Sequence, residues 1–142
     1  MITAVLDTNV LASGTVSAST SPGQILNAWR DSKFELVISQ HIINELIRTL
    51  NKPYFQDRLD SSTISSFIDL LQNEAMVTPI TVTIQGVATH PEDDLTLATA
   101  VSAQTDYLVS GDGPLLQKVG STFQDVKLVT PNKFLDILNQ QR

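Results

Sequence analysis

Short apolar runs alternate along the chain with longer amphipathic stretches. Four of these runs are rich in β-branched residues and predict buried strands, at residues 2–6, 34–38, 107–110 and 126–129. Residues 76–84 predict a further strand. Pro79 interrupts it and, because proline has no backbone N–H, indicates an edge or irregular strand. The runs therefore supply the strands of one predicted sheet.

The stretches between the runs carry helical signals. Ser21 and Pro22 combine a cap residue with a proline at the first helical position, and the apolar residues between Gln40 and Leu50 recur with the helical period. Helices are predicted over residues 21–31, 40–50, 61–73, 93–104, 113–118 and 131–139, with loops at 13–21 and 86–91. Strands that alternate with helices predict an α/β fold, a three-layer α/β/α sandwich with a mostly parallel central sheet.

The composition indicates one folded domain that spans residues 1–142. Hydrophobic residues make up 42% of the chain and charged residues 17%, which supports a packed core and argues against disorder. No apolar run approaches the ~20 residues that cross a bilayer, so no membrane association is predicted. The chain has no cysteine, which excludes disulfides, thiolate catalysis and cysteine-type zinc sites and fits a cytoplasmic location.

The formal net charge of −6 argues against a broad nucleic-acid-binding patch. An acidic metal site contributes to that charge, however, and a bound Mg²⁺ ion would reverse the local sign. If nucleic acid is the substrate, few basic residues remain to position it. The candidates are Arg30, Lys33, Arg48, Lys52, Arg58 and Lys118.

Several acidic residues follow predicted strands. Asp7 ends the first strand, and Asp112 follows the strand at 107–110. Glu45 lies in the helix after the second strand, and Asp93 and Asp94 open the helix that leads to Asp112. Because ligands of open parallel sheets bind at the carboxyl ends of the strands, these carboxylates are expected at one edge of the sheet.

Each acid also has a structural explanation. Asp7 is at a position where an aspartate often caps a turn, and Glu45 among isoleucines and leucines fits a boundary residue whose carboxylate reaches water. Asp93 and Asp94 both fit first-turn helix caps. Asp94 is in register with the apolar face formed by Leu97 and its neighbours, which favours Asp94 as the inward-facing acid without excluding Asp93.

A cluster of carboxylates is stabilised by a divalent cation. Mg²⁺ and Mn²⁺ prefer oxygen ligands, and two such ions can assist an in-line displacement at phosphorus. Only two histidines are present, His41 and His90, and the sequence has neither a nucleophile elbow nor a glycine-rich phosphate loop. The acids are therefore the leading catalytic candidates.

The sequence resembles the PIN-domain nucleases, in particular the VapC-like toxins of bacterial toxin–antitoxin pairs. The matching segments extend over nearly the whole chain, from residues 5–11 and 39–50 to residues 91–98 and 106–116. The resemblance implies a PIN-like fold and a metal-dependent endoribonuclease with Mg²⁺ or Mn²⁺ as cofactor. It also implies an RNA substrate, a small antitoxin partner and a homodimer.

By motif, the implied acidic quartet is Asp7, Glu45, Asp94 and Asp112, with Asp93 as the alternative third member. Thr8, Asn9 and Ser110 are implied as groups that support the acids or position the substrate. Gly111 departs from the commonest toxins, many of which have a basic or polar residue there. That resembles a subgroup of toxin-like PIN proteins, so the fold is better supported by the sequence than toxicity is.

Other functions remain open at this point. A phosphatase of the haloacid dehalogenase type needs Asp-x-Asp after the first strand, whereas this chain has Asp7-Thr8-Asn9. A phosphate-receiver domain needs a different order of acids. A PIN-like RNA-binding or protein-interaction module without nuclease activity would have lost its metal site, but all four acids of the quartet are present.

Overall fold

The computed structural model describes residues 1–141 as strands and helices that alternate along the chain. The strands are β1 (Thr3–Leu6), β2 (Glu35–Ile38), β3 (Met76–Val77), β4 (Tyr107–Val109), β5 (Thr122–Phe123) and β6 (Val126–Val129). The helices are α1 (Thr8–Val16), α2 (Ser21–Arg30), α3 (Gln40–Leu50), α4 (Pro53–Gln56), α5 (Ser61–Glu74), α6 (Pro91–Ala103), α7 (Gly113–Val119) and α8 (Pro131–Gln140). The predicted α/β fold is confirmed.

The strands form one sheet in the order β3-β2-β1-β4-β6-β5. All neighbouring pairs in it are parallel except β5 with β6. From β1 the chain continues to β2 on one side, whereas from β4 it continues to β6 on the other side. The carboxyl ends of β1 and β4 therefore flank a topological switch point, where open α/β sheets bind ligands.

The core is built from the central strands and the helices packed on them. The residues of β1, β2 and β4 are mostly buried, as expected for parallel strands covered by helices. Helix α6 contacts β1, β2 and β4, and α1 contacts α2 and α3. Among residues 1–141, no helix has the length and apolar character needed to cross a bilayer.

The first helix was missed from the sequence, which predicted a turn at Asp7 and a loop at 13–21. Helix α1 begins directly after β1 because the Asp7 carboxylate caps it by accepting the Val10 N–H at 2.9 Å. Its residues Val10 and Leu11 are buried. The serine, threonine and glycine residues of this stretch have low helix propensity, and packing against α2 and α3 overrides that propensity.

Two strand predictions also need correction. The strand predicted over 76–84 ends at Val77, and only the Thr78 N–H continues the pairing, to the Ile38 carbonyl at 2.8 Å. Pro79 stops the ladder because it has no N–H to donate. Strand β5 was not predicted, and it reaches β6 through a tight turn in which Gln124 and Asp125 adopt positive φ angles of 46° and 69°. Without glycine or asparagine, this turn lacks the usual sequence signal.

Gly23 allows α2 to lie close to the end of α1. A Cβ atom at this position would be 2.0 Å from the Ser17 carbonyl oxygen, whereas a Cβ at Gly111 would have nothing within 4 Å. We expect Gly23→Ala to lower the free energy of unfolding by about 1–3 kcal/mol, the usual cost of overpacking. Gly111→Ala is the control, because its Cβ meets no other atom. Urea denaturation of Gly23→Ala and Gly111→Ala tests this, and equal unfolding midpoints for the two variants would contradict it.

Candidate active site

One cleft at the β1–β4 switch point contains most of the acids selected from the sequence. Its volume is about 250 Å³. Its lining consists of five carboxylate residues and six other residues: Asp7, Glu45, Glu92, Asp93 and Asp112, with Thr8, Asn9, Thr49, Lys52, His90 and Thr96. This surface is called the acidic cleft below. The parallel sheet brings Asp7, Glu45, Asp93 and Asp112 together, although they are far apart in sequence.

Ser110 links the ends of β1 and β4. Its hydroxyl donates a hydrogen bond to Oδ2 of Asp7 and accepts the Asp112 N–H at 3.1 Å. Asp112 in turn caps α7 by accepting the Leu115 N–H at 3.2 Å. Asp7 and Asp112 are therefore both helix N-cap residues, which fixes their backbones beside each other at the floor of the cleft.

Glu45 is held in place by neighbours on two elements. Its Oε1 accepts the Thr8 hydroxyl at 2.7 Å and lies 3.8 Å from Nε2 of His41. The same His41 nitrogen lies 3.2 Å from the Glu92 carbonyl oxygen. Glu45 thus faces the start of α1 from α3, as the sequence predicted for a cleft acid.

The two neighbouring aspartates of α6 have different surroundings. Asp93 lines the acidic cleft. Asp94 is buried, and its carboxylate accepts the backbone N–H groups of Gly86, Val87 and Ala88 at 2.9, 3.2 and 2.7 Å. The sequence analysis favoured Asp94 because it lies in line with the apolar face of the helix. In the structure, that inward direction leads to the backbone of loop 86–88 instead of to the cleft.

The electrostatics of the acidic cleft oppose ionisation. Burial raises the pKa of Asp7 from 3.8 to about 6, although hydrogen bonds from Ser110 and Val10 oppose the rise, and the charges of Asp93 and Asp112 add to it. Burial is also the main reason that the pKa values of Asp93 and Glu45 are raised. The ionised forms of these carboxylates are therefore disfavoured unless a positive charge is bound near them.

The carboxylate oxygens of the cleft are suitable ligands for a hard divalent cation, but they are not close enough together to coordinate one. Among residues 1–141, no group of three or more acidic or histidine side chains is close enough to hold a metal ion. The cleft nevertheless offers carboxylate oxygens from several elements, which are the ligands that Mg²⁺ and Mn²⁺ prefer. A bound cation would replace the repulsion among Asp7, Asp93 and Asp112 with attraction.

Some cleft residues were not selected from the sequence as site residues. Thr49 follows Glu45 by four residues within α3, a spacing that puts the two side chains on the same side of the helix. Lys52 lies beyond the end of α3 and was named from the sequence only among the basic residues that could position nucleic acid. Glu92 directly precedes Asp93 in the first turn of α6. Its position in the motif was noted, but no signal distinguished its side chain from that of a solvent-exposed cap.

The comparisons with known proteins agree with the architecture. A family model described as "PIN domain" matches residues 3–113, which include every acid that lines the acidic cleft. No curated protein matches the chain.

Solved structures share the fold at low sequence identity. VapBC2 from Rickettsia felis, solved bound to a DNA fragment from their promoter, has a TM-score of 0.61 at 12% identity and covers 91% of this chain and 98% of its own. PAE2754 from Pyrobaculum aerophilum has a TM-score of 0.63 at 17% identity and covers 97% of this chain and 90% of its own. FitAcB from Neisseria gonorrhoeae has a TM-score of 0.53 at 19% identity and covers 90% of this chain and 97% of its own. The TM-scores show that these proteins share the fold of this chain, and at such low identities the similarity is one of fold alone.

Proposed function

This chain belongs to the PIN domain family, and we propose that it is a metal-dependent endoribonuclease that hydrolyses RNA phosphodiesters. The observation that carries the proposal is the acidic cleft, in which five carboxylates from four separate parts of the chain line one cavity at the sheet's switch point. The described residues offer no cysteine nucleophile; of the two histidines, His41 lies 3.8 Å from Glu45 and His90 lines the acidic cleft. Carboxylate chemistry at phosphorus is therefore the best-supported activity.

The residues proposed to hold Mg²⁺ or Mn²⁺ are Asp7, Glu45, Asp93 and Asp112. When bound, such an ion activates water and stabilises charge that develops on the phosphate. Ser110 orients Asp7 and Thr8 orients Glu45 through the hydrogen bonds described above. Asn9 and Lys52 line the cleft, and their side chains are proposed to contact substrate oxygens.

Asp93 takes the third place in this quartet because the Asp94 carboxylate is already satisfied by three backbone donors. We expect Asp93→Asn to abolish cleavage without loss of stability, since it removes a carboxylate whose ionisation is opposed by burial and by Asp112. Asp94→Asn leaves a backbone donor unpaired and is expected to lower the free energy of unfolding by about 2 kcal/mol. Urea denaturation and RNA cleavage of both variants test the choice of Asp93. If Asp94→Asn is stable but inactive while Asp93→Asn is fully active, Asp94 is the third acid instead.

The biological role proposed is that of a toxin controlled by a small antitoxin. The sequence motifs of VapC-like toxins support it, and so does the shared fold with VapBC2 and FitAcB. A homodimer, a cytoplasmic location and a one-domain organisation over residues 1–142 belong to the same proposal. Co-expression of the chain with the product of a neighbouring small reading frame tests the role, since restored growth is expected only if the chain alone is toxic.

RNA cleavage by the purified protein tests the proposed activity. We expect single-stranded RNA to be cut in the presence of Mn²⁺ or Mg²⁺, to leave 5′-phosphate ends, and to remain intact with a chelator. Cleavage that persists at full rate with the chelator would contradict metal dependence. Retention of RNA without cleavage under all metal conditions would favour the alternative of a binding module.

A further inference from the structure

The acidic chain carries a positively charged segment at the rim of the acidic cleft. Residues 48–58 contain three of the nine Lys and Arg residues, Arg48, Lys52 and Arg58, and a single acid, Asp57. Lys52 lines the cleft itself, together with Thr49. Nη2 of Arg48 lies 4.0 Å from Oε1 of Glu92, so this segment brings positive charge next to the carboxylates of the cleft.

An aromatic side chain is exposed within this segment. Tyr54, in α4, is 54% exposed, and the guanidinium carbon of Arg58 lies 3.7 Å from the centre of its ring. Nη1 of Arg58 also donates to the Tyr54 carbonyl at 2.8 Å, which fixes the guanidinium over the ring. The Phe55 ring makes a T-shaped contact with Tyr54, with ring centres 4.9 Å apart, and Phe55 packs on the hydrophobic core.

These contacts give Tyr54 and Arg58 a fixed orientation on the surface. Both groups are planar, and both are surfaces on which nucleobases stack in single-stranded RNA. The Tyr54–Arg58 contact stabilises the fold whatever the function of the protein. The position of the exposed Tyr54 ring, two residues along the chain from Lys52 in the cleft lining, is what suggests a role in binding. An aromatic group beside cations is the combination that binds an unpaired base next to a held phosphate.

We infer that Tyr54 and Arg58 form a stacking subsite for one unpaired nucleobase of single-stranded RNA, with Lys52 on the phosphate that links this base to the acidic cleft. The inference rests on the proposed function and deepens it, because it adds a base-binding position to the site that hydrolyses the phosphodiester. Duplex RNA cannot use the subsite, because its bases are stacked in the helix.

The test measures binding separately from cleavage. In an Asp112→Asn background, fluorescence anisotropy reports the affinity for a labelled single-stranded RNA and for a hairpin duplex, with Mn²⁺ present. Tyr54→Ala and Arg58→Ala are each expected to weaken single-strand binding by at least about fivefold, the lower end of stacking losses. Tyr54→Phe retains the ring and should bind as the parent does, and Arg30→Ala is the control for loss of an exposed arginine that lies outside the cleft lining.

The outcomes separate the subsite from the activity. Without the Asp112→Asn change, Tyr54→Ala should raise KM for single-stranded RNA and leave kcat nearly unchanged. If the unaltered protein cuts no RNA but binding still depends on Tyr54, the subsite stands and the proposed nuclease activity fails. If Tyr54→Ala and Arg58→Ala bind the single strand as tightly as Arg30→Ala does, or if all three lose the same affinity, the subsite is refuted.

Discussion

Asp7→Asn and Asp112→Asn are each expected to lower the rate of RNA cleavage by at least on the order of 10²–10³-fold, the loss typical when one preorganised electrostatic contact with the transition state is removed. Asparagine is as good a helix N-cap as aspartate, so each change keeps the cap of α1 or α7 and removes the negative charge. The loss should therefore appear in cleavage and not in folding. Cleavage of labelled single-stranded RNA with Mn²⁺ measures it.

Asp60→Asn is the matched control for these two variants. Asp60 also caps a helix, α5, by accepting the Thr63 N–H at 2.8 Å, and it does not line the acidic cleft. It should cleave RNA at the rate of the unaltered protein. If Asp7→Asn and Asp112→Asn cleave as fast as Asp60→Asn, the acidic cleft is not the active site.

The second large effect concerns the free energy of unfolding. In the metal-free protein, Asp7 should make it depend on pH. Burial raises the pKa of Asp7 to about 6, so between pH 4 and pH 6 the folded chain keeps a proton that the unfolded chain has released. The free energy of unfolding therefore falls as the pH rises through this window, and the full penalty is present above it. For a pKa that rises from 3.8 to about 6, the penalty is about 3 kcal/mol.

Asp7→Asn isolates this contribution. Urea denaturation with a chelator should show nearly equal stabilities for the variant and the unaltered protein at pH 4. At pH 7.5 the variant should be more stable by up to about 3 kcal/mol. The difference between the two proteins removes the contribution of other titrating groups, and a difference that does not change with pH would show that Asp7 ionises at its ordinary pKa.

The elements that position the site were largely predictable from the sequence. The strands around Asp7 and Asp112 are short apolar runs between helices, and such runs belong to parallel sheets. Because parallel strands end at one edge, the order of elements predicted that Asp7, Glu45 and Asp112 would meet, and the structure places all three in the acidic cleft. Helix α1 was missed because its stability depends on packing against α2 and α3 and not on its own propensities.

The sequence could not decide between Asp93 and Asp94. Both lie in the first turn of α6, and the apolar period favoured Asp94 as the inward residue. The structure distinguishes their surroundings by the path of residues 86–88, whose N–H groups converge on the Asp94 carboxylate. No periodicity predicts such a loop, because its conformation depends on contacts that are distant from its own sequence pattern.

Calorimetric titration of Mn²⁺ into the metal-free protein at pH 7.5 tests the central claim most directly. We expect the protein to bind Mn²⁺, Asp7→Asn and Asp112→Asn to lose most of the affinity, and Asp60→Asn to retain it. The carboxylates of the acidic cleft would then be the metal ligands. No binding, or equal binding by all four proteins, would contradict the account.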